Sequence, residues 1–522
     1  MKTLLKALLM HPDRDFDPEQ PLPWNTQALT QDLELETLLR AMAGGDKFLF
    51  EVAQRAVLCG PRNDLPSIHH RQAVLKDALR NPAIVRTLYS LSVETIERKR
   101  KSWFGIFSDY PAAILHESVV LMQLFMEMLL KLRALAEKHA DRFESAGFKA
   151  LFATLRNELN DEYLVSIEQH LKELKFQRGT LLSAELGTAN EGVNYVLRKS
   201  ISKPPNWLER LIGRGQPAYT FHIAGRDEAG ARALGELRDR GINAAANAMR
   251  QSADHVLSFF TTLRTELAFY VACLNLDEEL ARRGAPRVFP EAAPPETRKL
   301  RLEELYDVCL SLTMGRQIVG NSLRADASLT VVTGANQGGK SSFLRSVGLA
   351  QLMMQSGLFV GARRFEAPVC TGVFTHYKRE EDAEMRSGKF DEEMARMSAI
   401  VDHLTPNAVV LFNESFAATN EREGSEIAQQ IVGALLQRDI RVVFVTHLFT
   451  FAHGAYDAQR EQAVFLRAER RPDGTRPFRL VEAAPLETSY GEDLYREVFA
   501  GEMEEMTTPR AAKSNNAIQA AE

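Results

Sequence analysis

The sequence has few of the residues that build disulfide frameworks, zinc sites or membrane spans. Only 4 of its 522 residues are cysteine, and no two of them form a C-x-x-C pair. A disulfide scaffold or a zinc site is therefore not expected, and isolated cysteines suit a reducing compartment, which predicts a cytoplasmic protein. The most apolar stretch, residues 118–132, contains Gln123, Glu127 and Lys131 and is too short to cross a bilayer. We expect it to be a buried helix, and we expect no membrane partner.

Positive charge is not in excess either. Lys and Arg number 64 against 69 Asp and Glu, which gives a formal net charge of −5. The overall charge therefore gives no support for nucleic-acid binding, and any contact with DNA would need a local basic surface. Two candidates are the basic run at residues 98–101, followed by Trp103 and Phe104, and the segment from 198 to 214. The simpler interpretation of each is a solvated charged stretch.

Two proline-rich stretches divide the chain, one before residue 24 and one around residue 290. The first stretch predicts an irregular N-terminal lead over residues 1–23. Over residues 24–290 apolar residues recur at three- and four-residue spacing, which is typical of long helices, with one short strand near residues 219–223. After the second stretch, short β-branched runs alternate with helical ones, which predicts an α/β domain around a mostly parallel sheet over residues 291–505. Residues 506–522 are predicted to be a flexible tail.

A glycine-rich motif lies inside the predicted α/β domain. Residues 334–341 read GANQGGKS and match G-x-x-x-x-G-K-[ST] between a predicted strand and a predicted helix. Glycines let backbone N–H groups approach phosphate oxygens, and the helix that follows adds the positive end of its dipole. Lys340 can then reach the β- and γ-phosphates, and the Ser341 hydroxyl can bind Mg²⁺. The alternative is an ordinary glycine-rich turn. The predicted ATP-binding residues are Gly334, Ala335, Asn336, Gln337, Gly338, Gly339, Lys340, Ser341 and Ser342.

Two later strands end in polar side chains. Residues 408–412 form an apolar run that ends at Asn413 and Glu414, and residues 441–446 end at His447. Because ligands bind beyond the carboxyl ends of parallel strands, Glu414 is predicted to orient and polarise the attacking water; a helix cap is the alternative. His447 is a candidate contact to the γ-phosphate or to that water, although a lone histidine is more often structural.

Asn413 stands where such a strand normally carries an aspartate that helps to hold Mg²⁺. Its amide oxygen can still accept a hydrogen bond from a metal-bound water, but it has no negative charge. We therefore predict a Mg²⁺ site formed by Ser341, Asn413 and Glu414, with weaker metal binding or slower turnover than an aspartate would give.

These motifs resemble the ATPase domain of the MutS DNA mismatch-repair proteins. The run TGANQGGKSSFLRSVGLAQLMMQSGLFVGA at residues 333–362 is similar to the family's GPNMGGKST loop and its GxFVPA segment. Asn413-Glu414 resembles the family's Asp-Glu, and Thr446-His447 its Thr-His. Residues 419–424 resemble its dimer-contacting loop, 489–491 its SYG segment, and 319–321 a stretch near its adenine pocket. Upstream, residues 71–74 and 81–82 resemble part of its helical core.

The resemblance implies a fold, an activity and partners. It implies an ABC-type P-loop ATPase domain, preceded by a mainly α-helical core with lever helices and a reduced clamp. It implies Mg²⁺-dependent hydrolysis of ATP by a homodimer, in which each phosphate loop meets a signature from the other subunit. ATP binding would close the two ATPase domains, and the levers would transmit that closure to a DNA-embracing channel.

Three departures from the family's pattern qualify these expectations. The family's N-terminal mismatch-reading domain has no counterpart in this sequence, so branched or otherwise distorted DNA is expected rather than scanning for mismatches. The family's signature is usually a Ser-Thr-Phe run, whereas this region reads RSGKFDEEM, in which Ser387 and Gly388 are assigned to the partner's nucleotide site. Asn413 is the third departure.

Three functions remain open on the sequence alone. The motif set favours an ATP-switched DNA-binding protein acting on mismatched, branched or distorted DNA. The negative net charge favours an ATP-switched scaffold or clamp that binds protein partners instead. A P-loop kinase or small-molecule transferase is the third, and the long helical region before the loop and the Thr-His strand end argue against it.

Overall fold

The structure, a computed structural model, describes residues 6–60, 64–102, 110–176, 179–199, 221–379, 388–459 and 463–486. The chain forms two compact units. The first comprises Met1–Glu19 and Ala73–Leu274, and the second comprises Gln20–Gln72 and Asn275–Glu522. Residues 20–72 thus group with the later residues, whereas the sequence pattern placed residues 24–72 with the helical region that ends near residue 290. The breaks at residues 72 and 274 lie within continuous helices, so no change of composition marks them.

The elements follow one another along the chain as a helical half and then an alternating half. In order they are α1 (Thr26–Asp32), α2 (Leu35–Ala43), α3 (Lys47–Leu58), α4 (Leu65–Arg80), α5 (Pro82–Ser102), α6 (Pro111–His139), α7 (Ala146–Glu158), α8 (Asp161–Glu173), β1 (Leu181–Leu186), β2 (Gly192–Arg198), α9 (Glu228–Arg282), β3 (Glu291–Ala293), β4 (Leu300–Leu305), α10 (Val308–Met314), β5 (Asn321–Ala325), β6 (Leu329–Gly334), α11 (Lys340–Gln355), β7 (Arg364–Pro368), β8 (Val373–Tyr377), α12 (Lys389–Val401), β9 (Val409–Asn413), α13 (Glu421–Gln437), β10 (Arg441–Val445), α14 (Phe449–Gln459), β11 (Ala463–Ala468) and β12 (Leu480–Glu482).

The first unit is mainly helical, with one antiparallel hairpin formed by β1 and β2. The sequence pattern missed this hairpin because the run LLSAEL in β1 consists largely of good helix formers. The strand predicted near residues 219–223 is wrong for residues 221–223, which form no strand; the rest of it lies outside the described residues. The helix predicted at residues 118–132 exists within α6. It is not buried throughout, since Val120 and Leu130 are each 46% exposed.

The irregular lead is anchored in the first unit by one buried carboxylate. Residues 6–23 form neither helix nor strand. The carboxylate of Glu266 on α9 accepts hydrogen bonds from the N–H groups of Leu9 (2.7 Å), Met10 (2.6 Å) and Phe16 (2.5 Å). The hydroxyl of Tyr270, one turn later, donates to the carbonyl of Leu9. Side chains of a long helix therefore supply the bonds that the irregular segment cannot make within itself.

Helix α9 contains a stretch that is long and apolar enough, by composition, to cross a membrane. However, 67% of that stretch is buried within the protein, as in the core helix of a globular domain. Its apolar content is thus explained by packing.

Two sheets form the framework of the second unit. The larger has the strand order β12-β11-β6-β10-β9-β8, and every neighbouring pair is parallel except β11 and β12. Its central strands are apolar on both faces, as shown by the buried Val331, Val410 and Phe444. The smaller sheet has the order β3-β7-β4-β5 with β4 antiparallel to β5 and β7, and the sequence pattern did not predict it. The alternation of strands and helices thus correctly predicted the larger, mostly parallel sheet.

Candidate functional site

The glycine-rich loop connects the central strand β6 to α11. Gly334 and Gly339 have φ angles of 103° and 88°, a region that other residues rarely adopt. A side chain at Gly334 would also lie 2.9 Å from the backbone nitrogen of Ala468 on β11. The turn therefore requires glycine at both positions. It leaves the first N–H groups of α11 as donors for an anion at the helix N-terminus.

Lys340 is the first residue of α11 and folds back along the loop. Its ammonium group donates to the carbonyl oxygens of Gly334 and Ala335, both at 2.9 Å. The pKa of Lys340 is lowered to about 8, mainly by burial and to a smaller extent by Arg476, while the nearby Glu414 carboxylate opposes the shift. The cation is thus fixed beside the loop.

Ser341 and Asn413 join the start of α11 to the end of β9. The Ser341 hydroxyl donates to Oδ1 of Asn413 over 3.0 Å. Both side chains offer oxygen atoms, the ligands that Mg²⁺ prefers, but neither carries the charge of a carboxylate, and Mg²⁺ usually keeps several waters and binds substrate phosphates. Within the described residues, no group of three or more His, Cys, Asp or Glu side chains could hold a metal ion. The pair therefore fits a magnesium ion held largely by water and phosphate oxygens.

Glu414 and His447 meet at the ends of the neighbouring strands β9 and β10. The Glu414 N–H donates to the carbonyl of Val445 over 2.8 Å, which fixes the backbone beside β10. Oε1 of Glu414 lies 2.9 Å from Nε2 of His447. This hydrogen bond is the main reason that the pKa of Glu414 lies below its usual value, against the opposing effect of burial. The carboxylate is therefore ionised at neutral pH, and Nε2 of the ring is the donor.

A cavity of about 610 Å³ adjoins the loop, a volume within the usual range for small-molecule sites. Glu414 and residues 336–343 line one side of it. The lining also includes five apolar side chains, Leu305, Leu310, Met314, Ile318 and Val319, with the polar Asp307, Arg316 and Gln317 among them. The phosphate loop and Glu414, predicted separately from sequence, therefore border the same cavity. Val319 and Asn321, from the stretch that resembled an adenine pocket, also line it.

Phe478 lines the same cavity and was missed by the sequence analysis. It lies in the loop between β11 and β12, is 50% exposed, and has a φ of 60°. The side chain of Asn321 holds this loop, because its Nδ2 donates to the Phe478 carbonyl (3.3 Å) and its Oδ1 accepts from the N–H of Leu480 (2.7 Å). No motif marks this position. The available signal was a single phenylalanine in a polar turn rich in arginine.

The predicted partner-site signature and SYG segment lie largely outside the described residues. Ser387 and the segment 489–491 lie outside the described residues, while Gly388 occupies the N-cap position of α12. The loop 419–424 leads into α13, where the Asn420 side chain caps the helix by accepting from the N–H of Glu423.

The two basic candidates are only partly described. Residues 98–101 lie near the end of α5, and Arg98 there forms ion pairs with Glu94 and Glu127. Trp103, Phe104 and most of the segment 198–214 lie outside the described residues.

A parallel sheet whose central strand leads through a glycine-rich loop to a Lys-Ser helix start defines a P-loop nucleotide-binding protein. Comparison with known families agrees. Residues 330–507 match the family model of MutS domain V, and residues 63–283 match that of the MutS2 N-terminal domain. The two matches include most of the chain, and the chain belongs to the MutS family.

Curated relatives are similar over part of this chain. The DNA mismatch repair protein MutS of Petrotoga mobilis is 29% identical over 175 residues, covering 33% of this chain and 21% of that protein. MutS of Thermotoga neapolitana is 37% identical over 134 residues, covering 25% and 17%. MutS of Leptospira interrogans is 27% identical over 272 residues, covering 50% and 31%. The chain thus spans less than a third of the length of these relatives.

Proposed function

We propose that this chain binds ATP in the cavity beside residues 334–342 and hydrolyses it to ADP and phosphate. One observation supports this above all: the Ser341 hydroxyl, at the start of α11, donates over 3.0 Å to Asn413 at the end of β9. Glu414 follows Asn413 directly and lines the cavity beside the loop, so its carboxylate faces the place where a phosphate on the loop would lie. MutS domain V, the matching family model, is a P-loop ATPase domain.

The triphosphate is held by the chain's own donors. The backbone N–H groups of the loop and of the first turn of α11 bind its oxygens, and Lys340 reaches the β- and γ-phosphates. The base lies against the apolar side chains of the cavity, and Phe478 contributes to its contacts. Ser341, Asn413 and Glu414 would hold Mg²⁺, which would supply charge stabilisation to the phosphates.

Glu414 orients and polarises the attacking water. Its lowered pKa keeps the carboxylate ionised, so it accepts a hydrogen bond from the water without needing to remove the proton fully. His447 holds this carboxylate in place through its hydrogen bond to Oε1, and it responds to the terminal phosphate through Glu414. With an amide at Asn413 instead of a carboxylate, we expect slow turnover.

ATP then acts as a switch for DNA binding. The relatives are named DNA mismatch repair proteins, and we propose an ABC-type dimer that binds mismatched, branched or distorted DNA. In this proposal Ser387 and Gly388 reach the partner subunit's nucleotide. The long helix α9 belongs to a mainly helical core within residues 24–290 and serves as a lever. The family match favours this over a scaffold for protein partners, and we propose a cytoplasmic location.

The variant Lys340→Ala tests the nucleotide site, and Lys47→Ala, which removes an exposed lysine of the same unit, is its control. Lys340→Ala is expected to abolish ATP binding or turnover, and Lys47→Ala to leave both intact. An unaffected ATPase rate in Lys340→Ala would refute the site.

Gel shifts test the proposed partner. Duplex, mismatched and four-way DNA are compared with and without ATP, over a series of salt concentrations. A DNA-binding protein is expected to show affinity that depends on ATP and falls steeply with salt. The absence of binding to every DNA would favour the protein scaffold.

A further inference from the structure

The segment that carries Glu414 has an unusual backbone. Glu414 and Phe416 have φ angles of 54° and 64°, although neither is a glycine. This backbone conformation is strained for a residue with a side chain, and it persists only when its surroundings hold it. The turn that aims the Glu414 side chain into the cavity therefore depends on contacts from elsewhere in the second unit.

One of these contacts is the buried carboxylate of Glu393. Its Oε1 accepts a hydrogen bond from the N–H of Phe416 over 2.6 Å, and the N–H of Ala418 also donates to this carboxylate. Glu393 is only 4% exposed, and burial raises its pKa, with the cations Arg396 and Lys378 acting against that shift. A carboxylate is kept in such a place only where donors satisfy it, and two of those donors belong to the turn after Glu414.

A second contact reaches the same turn by way of His376 on β8. The Ser415 hydroxyl lies 2.8 Å from Nδ1 and 2.5 Å from the carbonyl oxygen of His376. On the other side of the ring, Nε2 lies 3.1 Å from the carbonyl oxygen of Glu393. Burial lowers the pKa of His376 to about 4, so the ring is neutral and donates from Nε2. Ser415 is thus linked through His376 to the main chain of Glu393, and Phe416 is bonded directly to the side chain of Glu393.

Glu393 also belongs to the helix that follows the partner-site signature. Helix α12 begins at Lys389 with Gly388 at its N-cap, and Glu393 lies in its second turn. The carbonyl of Gly388 accepts from the N–H of Glu392 over 3.1 Å, so the start of the helix is regular. A shift of this helix would therefore move the carboxylate that holds the turn after Glu414.

We propose that Glu393 is a positioning residue that holds Glu414 in its hydrolytic orientation and links it to the segment beginning at Gly388. This inference rests on the proposed ATPase function. Hydrolysis in one site would then respond to contact between α12 and the nucleotide of the partner subunit. Glu393 does not line the cavity beside the loop, and it acts through the hydrogen bonds of its carboxylate to residues 416–418 and of its carbonyl oxygen to His376.

The test compares Glu393→Ala and Glu393→Gln in the full chain, with Glu426→Gln, an exposed glutamate on α13, as control. ADP affinity, KM and kcat for ATP are measured for each protein. Glu393→Ala is expected to lower kcat by about 10- to 100-fold, the cost of misplacing a reacting group by about 1 Å, while ADP affinity is retained. Glu393→Gln keeps one acceptor oxygen for the two N–H groups and is expected to lose less. The control is expected to match the native protein.

The outcomes separate the two proposals. An unchanged kcat in Glu393→Ala, or a joint loss of ADP affinity and kcat in the isosteric Glu393→Gln, would overturn the positioning role. If Glu393→Ala does not fold, Glu393→Gln decides alone: a lower kcat with unchanged ADP affinity supports the role, and an unchanged kcat refutes it. A native protein that binds no nucleotide would instead remove the proposed function, and the positioning role with it.

Discussion

Nε2 of His447 lies 2.9 Å from Oε1 of Glu414, and each residue follows the end of one of two neighbouring parallel strands. The histidine is therefore a partner of the carboxylate, and its predicted contact with the γ-phosphate or the attacking water stays a prediction. Because this bond is the main reason for the lowered pKa of Glu414, His447 controls when the carboxylate becomes protonated.

The variant His447→Ala is expected to shift the pH profile of ATP hydrolysis. Loss of the hydrogen bond raises the pKa of Glu414, so the carboxylate is protonated at a higher pH and the acid limb of kcat moves upward. The exposed His453 on α14, which pairs with Asp457 over 3.1 Å, provides the control His453→Ala. Identical acid limbs in the native protein and His447→Ala would contradict this coupling.

Phe478 is expected to contribute to nucleotide affinity. An aromatic contact adds about 0.5–1.5 kcal/mol beyond the area it buries, so Phe478→Ala should weaken ADP binding by about tenfold and Phe478→Trp should not. Isothermal titration calorimetry measures both, with Val481→Ala on β12 as an exposed apolar control. Equal affinity in Phe478→Ala and the native protein would place the base elsewhere in the cavity.

Asn413→Asp is expected to tighten Mg²⁺ binding and to speed turnover. The added negative charge strengthens the oxygen ligands at this position, and the Ser341 hydroxyl can still donate to it. A magnesium titration of ATP hydrolysis measures both effects. Asn407→Asp, before the opposite end of β9, controls for the change of charge. The argument about this residue is wrong if the magnesium dependence and the rate both stay the same.

Glu266 makes the docking of the N-terminal lead depend on pH. Burial, its largest cause, raises the pKa of Glu266 to about 7 from 4.5, and the nearby Asp15 adds to the shift, so the folded state binds the proton more tightly. Stability from this group is greatest below pH 4.5 and falls as pH rises to about 7. The contribution of Glu266 to the free energy of unfolding therefore differs by about 3 kcal/mol between the low-pH and the high-pH limit.

Hydrogen exchange over residues 6–16 measures this effect. After correction for intrinsic rates, the free energy of opening should fall as pH rises in the native protein, and change little in Glu266→Gln. The variant Glu236→Gln, at an exposed position near the start of α9, should behave as the native protein does. A native free energy of opening that does not vary with pH would exclude this effect.

The larger sheet was predictable from the sequence because its buried parallel strands are continuous apolar runs. The same pattern placed Glu414 and His447 at strand ends, and strand adjacency then brought them together. The smaller sheet was not predictable, because β4 and β5 carry charged residues in strands of mixed burial. Phe478 and Glu393 could not be predicted, since their importance arises from contacts between segments distant in sequence.

The sequence did not show in which unit the first helices pack. Prolines near residue 290 indicated a boundary, yet residues 20–72 group with the second unit. Helices α1 to α3 have the same apolar spacing as the helices of the first unit, so periodicity cannot tell which unit they pack in. The limits at residues 23, 290 and 505 therefore stay predictions.

The central claim is that a triphosphate on the loop faces Glu414, and the variant Glu414→Gln tests it most directly. The amide fills the same space but polarises water poorly, so ATP affinity should be retained while single-turnover hydrolysis slows by about 10²- to 10⁴-fold. Retained ATP binding with hydrolysis at the native rate would contradict the account.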